Sequence, residues 1–363
     1  MRIAVLGGGN GSFAAAGDMA LAGHEVRLWR RDRVAVEEHN AAGGTIIVKD
    51  FRGRHEAKPS LVTNDIAEAA RGVELILCPA PATAQHDIAR ALAPHLRDGQ
   101  IVFLPPGTFG SFIFAKTAHD AGNRADVAFA ETGTLPWLAR KHGPFEVAIT
   151  IRAKRLPTGA FPLTRKQHAL AMISGAFPGV IEDCGDVLSA ALMNAGPIIH
   201  PPLIVMNAAP LEHFDRWDIH REGTQPSVRR VTDALDAERI AVREALGYGA
   251  PHFPLANHYA KDGEEWMYGR GSHDKLTESG DWREHIVLTQ HRYMMEDVRI
   301  GLSFLVSVGE LAGVPTPLAR AFLSIGGAIC GEDFMKKGRT LQSLGVGGLD
   351  RSVLQAVLAT GMR

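Results

Sequence analysis

The sequence has few cysteines, almost no net charge and no long hydrophobic run. Its three cysteines, Cys78, Cys184 and Cys330, are far apart and odd in number, which favours reduced thiols in the cytoplasm over a disulfide framework. The net charge is -1 and there is no basic stripe with interleaved aromatic residues, so we expect no nucleic acid partner. The apolar run after Arg2 is only IAVL, and no stretch approaches the roughly 20 residues that span a bilayer. These absences predict a soluble, cytoplasmic protein without a membrane partner.

The order of predicted elements indicates two domains. The 363 residues are 45% apolar and 22% charged, a globular composition that is long enough for two cores. In the first half the β-rich runs MRIAVL, EVRLW, VELILCPAP, QIVFLPPG and DVAFAET alternate with helical segments, as in a parallel sheet with helices on both faces. EVAITIRAK at 146–154 is a further predicted strand. After about residue 187 the chain turns helical, and residues 283–312 form a long helical segment. We therefore predict an α/β protein, with a Rossmann-type doubly wound domain over residues 1–186 and an all-α domain over residues 187–363.

A glycine-rich turn follows the first strand. Gly7, Gly9 and Ser12 occupy the three positions of the G-x-G-x-x-G/A fingerprint, with serine at the third. The two glycines allow a tight turn and a close approach of the backbone to a pyrophosphate, and the next helix presents unpaired N–H groups. Because the motif lies between a strand and a helix, we predict a dinucleotide site that also includes Asn10 and Gly11.

The residues after the second strand bear on the choice of dinucleotide. A fold that prefers NAD has Asp or Glu here to bind the ribose 2′-hydroxyl, whereas this chain has Arg30 and Arg31. Because the paired N–H groups of arginine suit a 2′-phosphate, NADP(H) is favoured over NAD(H). Alternatively, both arginines belong to a solvated loop, and Asp32 serves NAD.

Two adjacent acids in the long helical segment differ in their surroundings. At helical spacing Glu296 has Arg292 and Arg299 as neighbours, so a solvated ion-pair face explains it. Asp297 has no cation at these spacings. Its neighbours are Tyr293, Met294, Ile300 and Gly301. Because a buried carboxylate is costly without a hydrogen-bond donor, Asp297 requires a partner from another segment.

The stretch NAGPIIHPP places a histidine among apolar residues. A lone histidine in such surroundings is more often a packing residue than a catalyst, so His200 alone predicts little. A partnership with Asp297 would fix the tautomer of the ring and let it exchange a proton near neutral pH. Such a pair suits the reduction of a C=O or C=N bond, because charge develops on the heteroatom as hydride arrives. We predict that His200 and Asp297 are the catalytic pair.

The residues above resemble the opine dehydrogenases of the octopine, nopaline and N-(1-carboxyethyl)-norvaline types. The resemblance covers nearly the whole chain and includes GGGNGSFAAAG, ETGTLPWLAR, NAGPIIHPPLIVMNA, EGTQPSV, RYMMEDV, VPTP and GRTLQSLG. It implies NAD(P)H-dependent reductive condensation of an amino acid with an α-keto acid, with pyruvate expected, through an imine, and the reverse oxidation. It also implies that His200 and Asp297 are catalytic, that Arg292 binds a substrate carboxylate and that Thr132 lines the keto-acid site.

The chain departs from the family pattern at two places. Many relatives have Asn-Pro-Gly where this chain has Pro105, Pro106 and Gly107, and Arg30 replaces the acid of relatives that use NAD. The implied role of Arg292 also competes with an ion pair to Glu296. The remaining candidates for the cofactor site are Pro79, Pro105 and Gly107.

Two other functions stay open at this stage. Ketopantoate reductases and other hydroxyacid dehydrogenases have a related two-domain architecture but usually work with a lysine from the helical domain, and residues 167–260 contain no lysine. A non-catalytic NADP sensor would leave the His200 and Asp297 motifs unexplained.

The histidines from residue 213 to residue 291 lack the H-x-x-x-H and H-x-H spacings of a preformed metal site, so no metal is expected. A homodimer is one expected assembly.

Overall fold

The computed structural model describes residues 1–362, which form two compact units. The first unit comprises residues 1–191 and the chain from Leu358 onward, and the second comprises residues 192–357. The first unit extends past the predicted boundary at residue 186 because the helix Val187–Ala191 is fully buried and contacts strands of the first unit.

Among its described residues the first unit contains twelve strands and seven complete α-helices. The strands are β1 (Arg2–Leu6), β2 (Glu25–Trp29), β3 (Ile46–Asp50), β4 (Gly53–Ala57), β5 (Leu61–Thr63), β6 (Leu75–Leu77), β7 (Ile101–Leu104), β8 (Ala128–Thr132), β9 (Trp137–Gly143), β10 (Glu146–Arg152), β11 (Leu156–Phe161) and β12 (Ile181–Asp186). The helices are α1 (Asn10–Leu21), α2 (Arg33–Ala41), α3 (Ile66–Ala70), α4 (Gln85–Leu92), α5 (Gly110–Asp120), α6 (Lys166–Ala176) and α7 (Val187–Ala191). Short 3-10 turns occur at Ala82–Ala84, Ala93–His95 and Leu163–Arg165.

The main sheet has eight strands in the order β12-β11-β8-β7-β6-β1-β2-β5. Neighbouring strands are parallel except β8 and β11, which are antiparallel. The chain moves outward from β1 in both directions, so the predicted doubly wound fold is confirmed. The sequence analysis does not predict β11 or β12, because LPTGAF contains proline and glycine and IEDCGD is largely polar, all unfavourable features in strands. The predicted strand at 146–154 is β10, but it lies in a different sheet.

This second sheet, called the small sheet below, has the strand order β4-β3-β10-β9 and contacts α1. Gly17 of α1 permits the close approach, because a Cβ at this position would lie 2.5 Å from Cγ2 of Val48 on β3. The guanidinium of Arg152 on β10 pairs with Asp18 of α1 at 2.7 Å and with Asp50 of β3 at 2.9 Å. Helix and sheet are therefore held together by both apolar contact and a shared cation.

The second unit is helical, as predicted, apart from one two-stranded ribbon. The ribbon pairs β13 (Trp217–Asp218) with β14 (Arg283–Glu284). The helices are α8 (Gly196–Val205), α9 (Ala208–His213), α10 (Pro226–Ala245), α11 (Ala256–Tyr259), α12 (Ser272–Glu278), a π-helix (Tyr293–Leu302), α13 (Ser303–Ala312), α14 (Pro317–Cys330), α15 (Phe334–Lys337) and α16 (Arg351–Thr360). The last residues of α16, from Leu358 onward, belong to the first unit.

The helical segment predicted at 283–312 begins at Tyr293 instead of residue 283. Its expected first residues belong to β14, which pairs with β13. The first ten residues of the observed helix are a π-helix, a rare conformation that occurs frequently at functional sites.

One stretch has the length and composition of a membrane span, although none was expected. It covers Val187–Val205, and 83% of it is buried within the protein. Such burial is what the core helix of a folded domain shows.

The contact between Gly17 and the small sheet predicts the effect of enlarging this residue. We expect Gly17→Val to lower the free energy of unfolding by about 1–3 kcal/mol, because the added methyl groups overlap Val48. The measurement is urea denaturation followed by circular dichroism. Gly143→Val, on β9 where a Cβ meets only Glu146 at 3.8 Å, is the matched control and should stay within about 0.5 kcal/mol of wild type. Equal stability of both variants would show that the helix and the sheet are less tightly packed than described.

Candidate active site and cofactor site

The glycine-rich turn has the conformation that the fingerprint requires. Gly7 has a φ of +124°, and a Cβ there would lie 2.5 Å from Oγ of Ser12. Gly9 is the N-cap of α1 and, within residues 1–362, no side chain caps this end of the helix. A Cβ on Gly11 would lie 3.2 Å from the carbonyl oxygen of Pro79, so the structure brings these two predicted residues together. The turn thus presents backbone N–H groups in the arrangement that binds a pyrophosphate.

Three charged residues follow β2, and the structure gives each a different environment. Arg30 lies over the turn, with Nε 3.0 Å from the position of a Cβ on Gly8, and one terminal nitrogen donates to the Ala35 carbonyl at 2.8 Å. The Arg31 side chain is 80% exposed and lies 3.7 Å from Asp87. Asp32 is the N-cap of α2 and accepts a hydrogen bond from the Ala35 N–H at 3.1 Å. Since Asp32 is engaged as a helix cap, it is a poor candidate for binding the ribose of NAD.

A buried carboxylate holds the loop that contains Pro105 and Gly107. Glu131, at the end of β8, is fully buried and accepts hydrogen bonds from the N–H groups of Phe109 at 2.7 Å and Ser111 at 3.0 Å, and from the Ser111 hydroxyl. A Cβ on Gly107 would collide with this carboxylate, so only glycine fits at that position. Sequence reasoning missed Glu131. The available signal was an acid in the otherwise buried strand AFAET.

Thr132, the predicted keto-acid residue, is the neighbour of Glu131 on β8. Its side chain is fully buried, and its hydroxyl donates to the Pro157 carbonyl at 2.7 Å. The hydroxyl proton of Thr132 is therefore already bound by the protein. Contact of Thr132 with a substrate stays a prediction.

The predicted histidine and aspartate form a hydrogen bond within the second unit. His200 on α8 and Asp297 on the π-helix lie 2.8 Å apart, measured from Nδ1 to Oδ2, and their side chains are 13% and 7% exposed. The two helices come close because their contact surface contains small residues. A Cβ on Gly196 would collide with the Asp297 carboxylate, and a Cβ on Gly301 would collide with Pro197. The side-chain pair is present as predicted, and its catalytic role stays a prediction.

The environment of Asp297 places its ionisation in the neutral range. Burial raises the pKa of Asp297 to about 7, although the positive charge of Arg292 opposes the shift. Because the carboxylate is hydrogen-bonded to an imidazole, the two groups titrate as a unit. The pair therefore gains and loses a proton near pH 7, which suits general acid–base catalysis.

Arg292 and Tyr293 lie next to the hydrogen-bonded pair. The Tyr293 ring stacks on the His200 ring with centroids 3.8 Å apart, and the Arg292 guanidinium lies 5.2 Å from the Tyr293 ring. Burial lowers the pKa of Arg292, but nearby negative charges, including those of Glu296 and Asp297, raise it above its usual value. The alternative pairing with Glu296 therefore stays open. Arg299, the other expected partner of Glu296, pairs with Glu332 at 3.5 Å. Binding of a substrate carboxylate by Arg292 stays a prediction.

Sequence reasoning also missed two aromatic side chains beside His200. Tyr293 entered the analysis only as a neighbour of Asp297, although the tyrosine of RYMMEDV is buried and stacked on the catalytic candidate. The buried ring of His220 meets His200 edge to face, with centroids 5.9 Å apart. No local signal places His220 there, because the contact depends on the tertiary fold.

The described residues contain no group of three or more His, Cys, Asp or Glu side chains that could hold a metal ion. A glycine turn for a dinucleotide and a histidine–carboxylate pair define the class of a pyridine-nucleotide dehydrogenase.

Comparisons with known proteins agree with this class. Residues 183–330 match the family described as NAD/NADP octopine/nopaline dehydrogenase, alpha-helical domain, and residues 2–105 match the NAD-dependent glycerol-3-phosphate dehydrogenase N-terminus. An opine dehydrogenase of Arthrobacter sp. (strain 1C) is 30% identical over 361 residues, which cover 98% of each chain. A vitopine synthase of Allorhizobium ampelinum is 26% identical, with 96% of each chain covered.

Solved structures share the fold. Octopine dehydrogenase in complex with NADH and agmatine has a TM-score of 0.75 at 19% identity, covering 100% of this chain and 98% of that chain. NADP+-bound yersinopine dehydrogenase has a TM-score of 0.66 at 13% identity, covering 99% and 98%. Together with the full-length relative, these findings show that the chain belongs to the opine dehydrogenase family, dehydrogenases that act on the CH–NH bond of an amino acid. The family, fold and enzyme class predicted from the sequence are confirmed.

The stacked ring of Tyr293 predicts a positioning role toward His200. We expect Tyr293→Leu to lower kcat of the opine dehydrogenase reaction about threefold to tenfold, because an aromatic pair contributes roughly 0.5–1.5 kcal/mol beyond its buried area. Steady-state kinetics across a pH series measures the effect. Tyr293→Phe keeps the ring and should stay near wild type. A Leu variant with unchanged kcat and pH profile would remove the positioning role.

Proposed function

We propose that this protein is an NADP(H)-dependent opine dehydrogenase that condenses the amino group of an amino acid with an α-keto acid, pyruvate being the expected one, and reduces the resulting imine. The reverse reaction oxidises the secondary amine. The single observation that carries the proposal is the 2.8 Å hydrogen bond between His200 and Asp297 within a family of CH–NH dehydrogenases.

His200 has the role of proton donor and acceptor in this reaction. Condensation releases water and leaves a C=N bond. A dinucleotide held at the glycine-rich turn would supply the hydride for the carbon of that bond. The product nitrogen gains one proton, and Nε2 of His200 is the atom that exchanges it. Asp297 holds the Nδ1 side of the ring, which fixes the tautomer and stabilises the positive charge when the ring is protonated.

Arg292 has the role of a carboxylate ligand. Both the amino acid and the keto acid carry a carboxylate, and a guanidinium binds this group through two parallel hydrogen bonds. Support comes from the position of the guanidinium, 5.2 Å from the ring of Tyr293, which stacks on His200.

The preference for NADP(H) rests on residues of this chain, since one solved relative is described with NADH and another with NADP+. Arg30 lies at the end of β2, where the adenosine ribose of a dinucleotide binds. Asp32, the only acid within residues 30–33 that would suit NAD, caps α2.

The remaining expectations stay predictions. They are a cytoplasmic location, a homodimer, and the absence of metal, membrane and nucleic acid partners.

The two alternative functions have less support. A hydroxyacid dehydrogenase that works with lysine is opposed by residues 167–260, which lack lysine and contain His200. A non-catalytic sensor is opposed by the full-length match to an enzyme.

A substrate panel tests the proposed reaction. We expect NADPH oxidation, followed by absorbance, to require both an α-keto acid such as pyruvate and an amino acid, and to be slower with NADH. Oxidation with the keto acid alone would identify a hydroxyacid dehydrogenase. No oxidation with any pair would favour the sensor.

The titration of the His200–Asp297 pair predicts opposite pH dependences for the two directions. The reductive rate should fall as pH rises through about 7, because burial raises the pKa of Asp297 to about 7 and the pair then loses the proton it must donate. The oxidative rate should rise over the same range.

Substitution of either member of the pair should abolish most of the turnover. Asp297→Asn and His200→Asn should lower kcat about 100- to 10,000-fold, while NADPH binding, measured by fluorescence, stays near wild type.

His168→Asn is the matched control for these variants, because this exposed histidine contacts only the Gly99 carbonyl among the hydrogen bonds described. A fully active Asp297→Asn enzyme with an unchanged pH profile would contradict the role of the pair.

A further inference from the structure

Two cations share one aromatic ring beside the glycine-rich turn. The ammonium of Lys141 on β9 lies 3.8 Å from the centroid of the Phe13 ring, and the guanidinium carbon of Arg30 lies 5.4 Å from the same centroid. Phe13 belongs to the first turn of α1, immediately after the fingerprint. The sequence analysis did not consider Lys141, because it is remote in the chain from both the fingerprint and Arg30.

The position of Lys141 is set by the small sheet. Its backbone N–H donates to Oδ1 of Asn10, the first residue of α1, at 3.0 Å. The sheet itself is attached to α1 through the Arg152 ion pair with Asp18 at 2.7 Å. The small sheet and helix α1 therefore hold Lys141 beside the glycine-rich turn.

Neither cation forms an ion pair within residues 1–362. Lys141 joins no ion pair in that range, and Nε of Arg30 is buried without a hydrogen-bond partner. Arg30 uses one terminal nitrogen for the Ala35 carbonyl. Asp32, the nearest acid in sequence, is occupied as the cap of α2. The arrangement thus has two positive charges without a carboxylate in direct contact, although Asp32 and Glu38 lie close enough to raise the pKa of Arg30.

Besides burial, neighbouring positive charges contribute to the pKa shifts of Lys141 and His39. Burial and the charge of Arg30 lower the pKa of Lys141. Burial lowers the pKa of the Arg30 guanidinium, although the charges of Asp32 and Glu38 oppose this. His39, whose ring stacks on Phe13 at 5.7 Å, has a lowered pKa because it is buried and because Arg30, Lys141 and Lys58 repel a proton, despite its bond to the Thr45 carbonyl. Like charges held together this way are stabilised by a bound anion.

We propose that Lys141 and Arg30 form a two-cation clamp for the 2′-phosphate of an adenosine nucleotide. The proposal rests on the proposed use of NADP(H) and adds a residue outside the fingerprint that selects this cofactor. Arg31 is not part of the clamp, because its side chain is 80% exposed and directed to Asp87 at 3.7 Å. A 2′-phosphate carries the two negative charges that the pair lacks, whereas the ribose hydroxyl of NAD carries none.

Calorimetric binding of two small nucleotides to the full-length protein tests the clamp without any need for turnover. Adenosine 2′,5′-bisphosphate carries the 2′-phosphate and adenosine 5′-monophosphate lacks it. We expect Lys141→Gln to weaken binding of the bisphosphate about 10- to 100-fold, as the loss of one charged hydrogen bond would, and binding of the monophosphate less than about twofold. Lys141→Arg should restore most of the affinity for the bisphosphate.

Lys49→Gln is the matched control, because Lys49 lies on β3 of the same small sheet but pairs with Glu146 at 2.6 Å. It should bind both nucleotides as wild type does. Thermal melting of each variant shows that the fold is intact. Equal weakening of both nucleotides by Lys141→Gln, or weakening of neither, would overturn the clamp.

The failure of the clamp is distinguishable from the failure of the proposed function. If the wild-type protein prefers the bisphosphate and Lys141→Gln keeps that preference, the clamp is wrong while the use of NADP(H) stands. If the wild-type protein binds both nucleotides equally, the NADP(H) preference and the clamp are both wrong, and imine reduction with NADH then shows whether the opine dehydrogenase function survives.

Discussion

A buried carboxylate must have a hydrogen-bond donor, and in this protein that requirement joins the two helices of the catalytic candidate. Asp297 accepts from His200, and Gly196 and Gly301 provide the space for the approach. Removing the donor would leave an uncompensated buried charge, which costs several kcal/mol. The burial that makes the carboxylate costly is also what raises its pKa to about 7. Local stability and proton exchange therefore depend on the same hydrogen bond.

Some cationic side chains of the protein form an ion pair with a carboxylate, and others do not. Arg152 and the buried Arg239 have carboxylate partners, Asp18 and Asp236, at 2.7 and 2.6 Å, and they hold elements together. Lys141 has no such partner within residues 1–362. A cation without a carboxylate partner gains most from an external anion, so this contrast separates positions that stabilise the fold from a position suited to a nucleotide.

Features that depend on neighbouring residues could be predicted from the sequence. The fingerprint could be placed because a strand, a turn and a helix follow one another within a few residues, and the need of Asp297 for a partner could be recognised from its apolar surroundings. The contact of Lys141 with Phe13 could not, because it depends on how the small sheet lies on α1.

The π-helix adds a neighbour to Arg292. At α-helical spacing, in which residues four apart are neighbours, the sequence brings Glu296 close to Arg292. In a π-helix the repeat is five residues, so Asp297 also lies close to Arg292, whose positive charge opposes the rise in the pKa of that aspartate. Hydrophobic periodicity predicted a helix correctly but could not reveal its wider turn.

The carboxylate of Glu131 reduces the conformational entropy that the loop around Thr108 and Phe109 would lose on binding a ligand. Thr108 and Phe109 have φ values of +52° and +64°, a backbone region that is unfavourable for such residues, and the bonds from Phe109 and Ser111 to Glu131 hold them there. The entropy of ordering this loop is therefore lost when the protein folds. The loop is already ordered before a ligand binds against it. Binding therefore loses little conformational entropy of the protein chain.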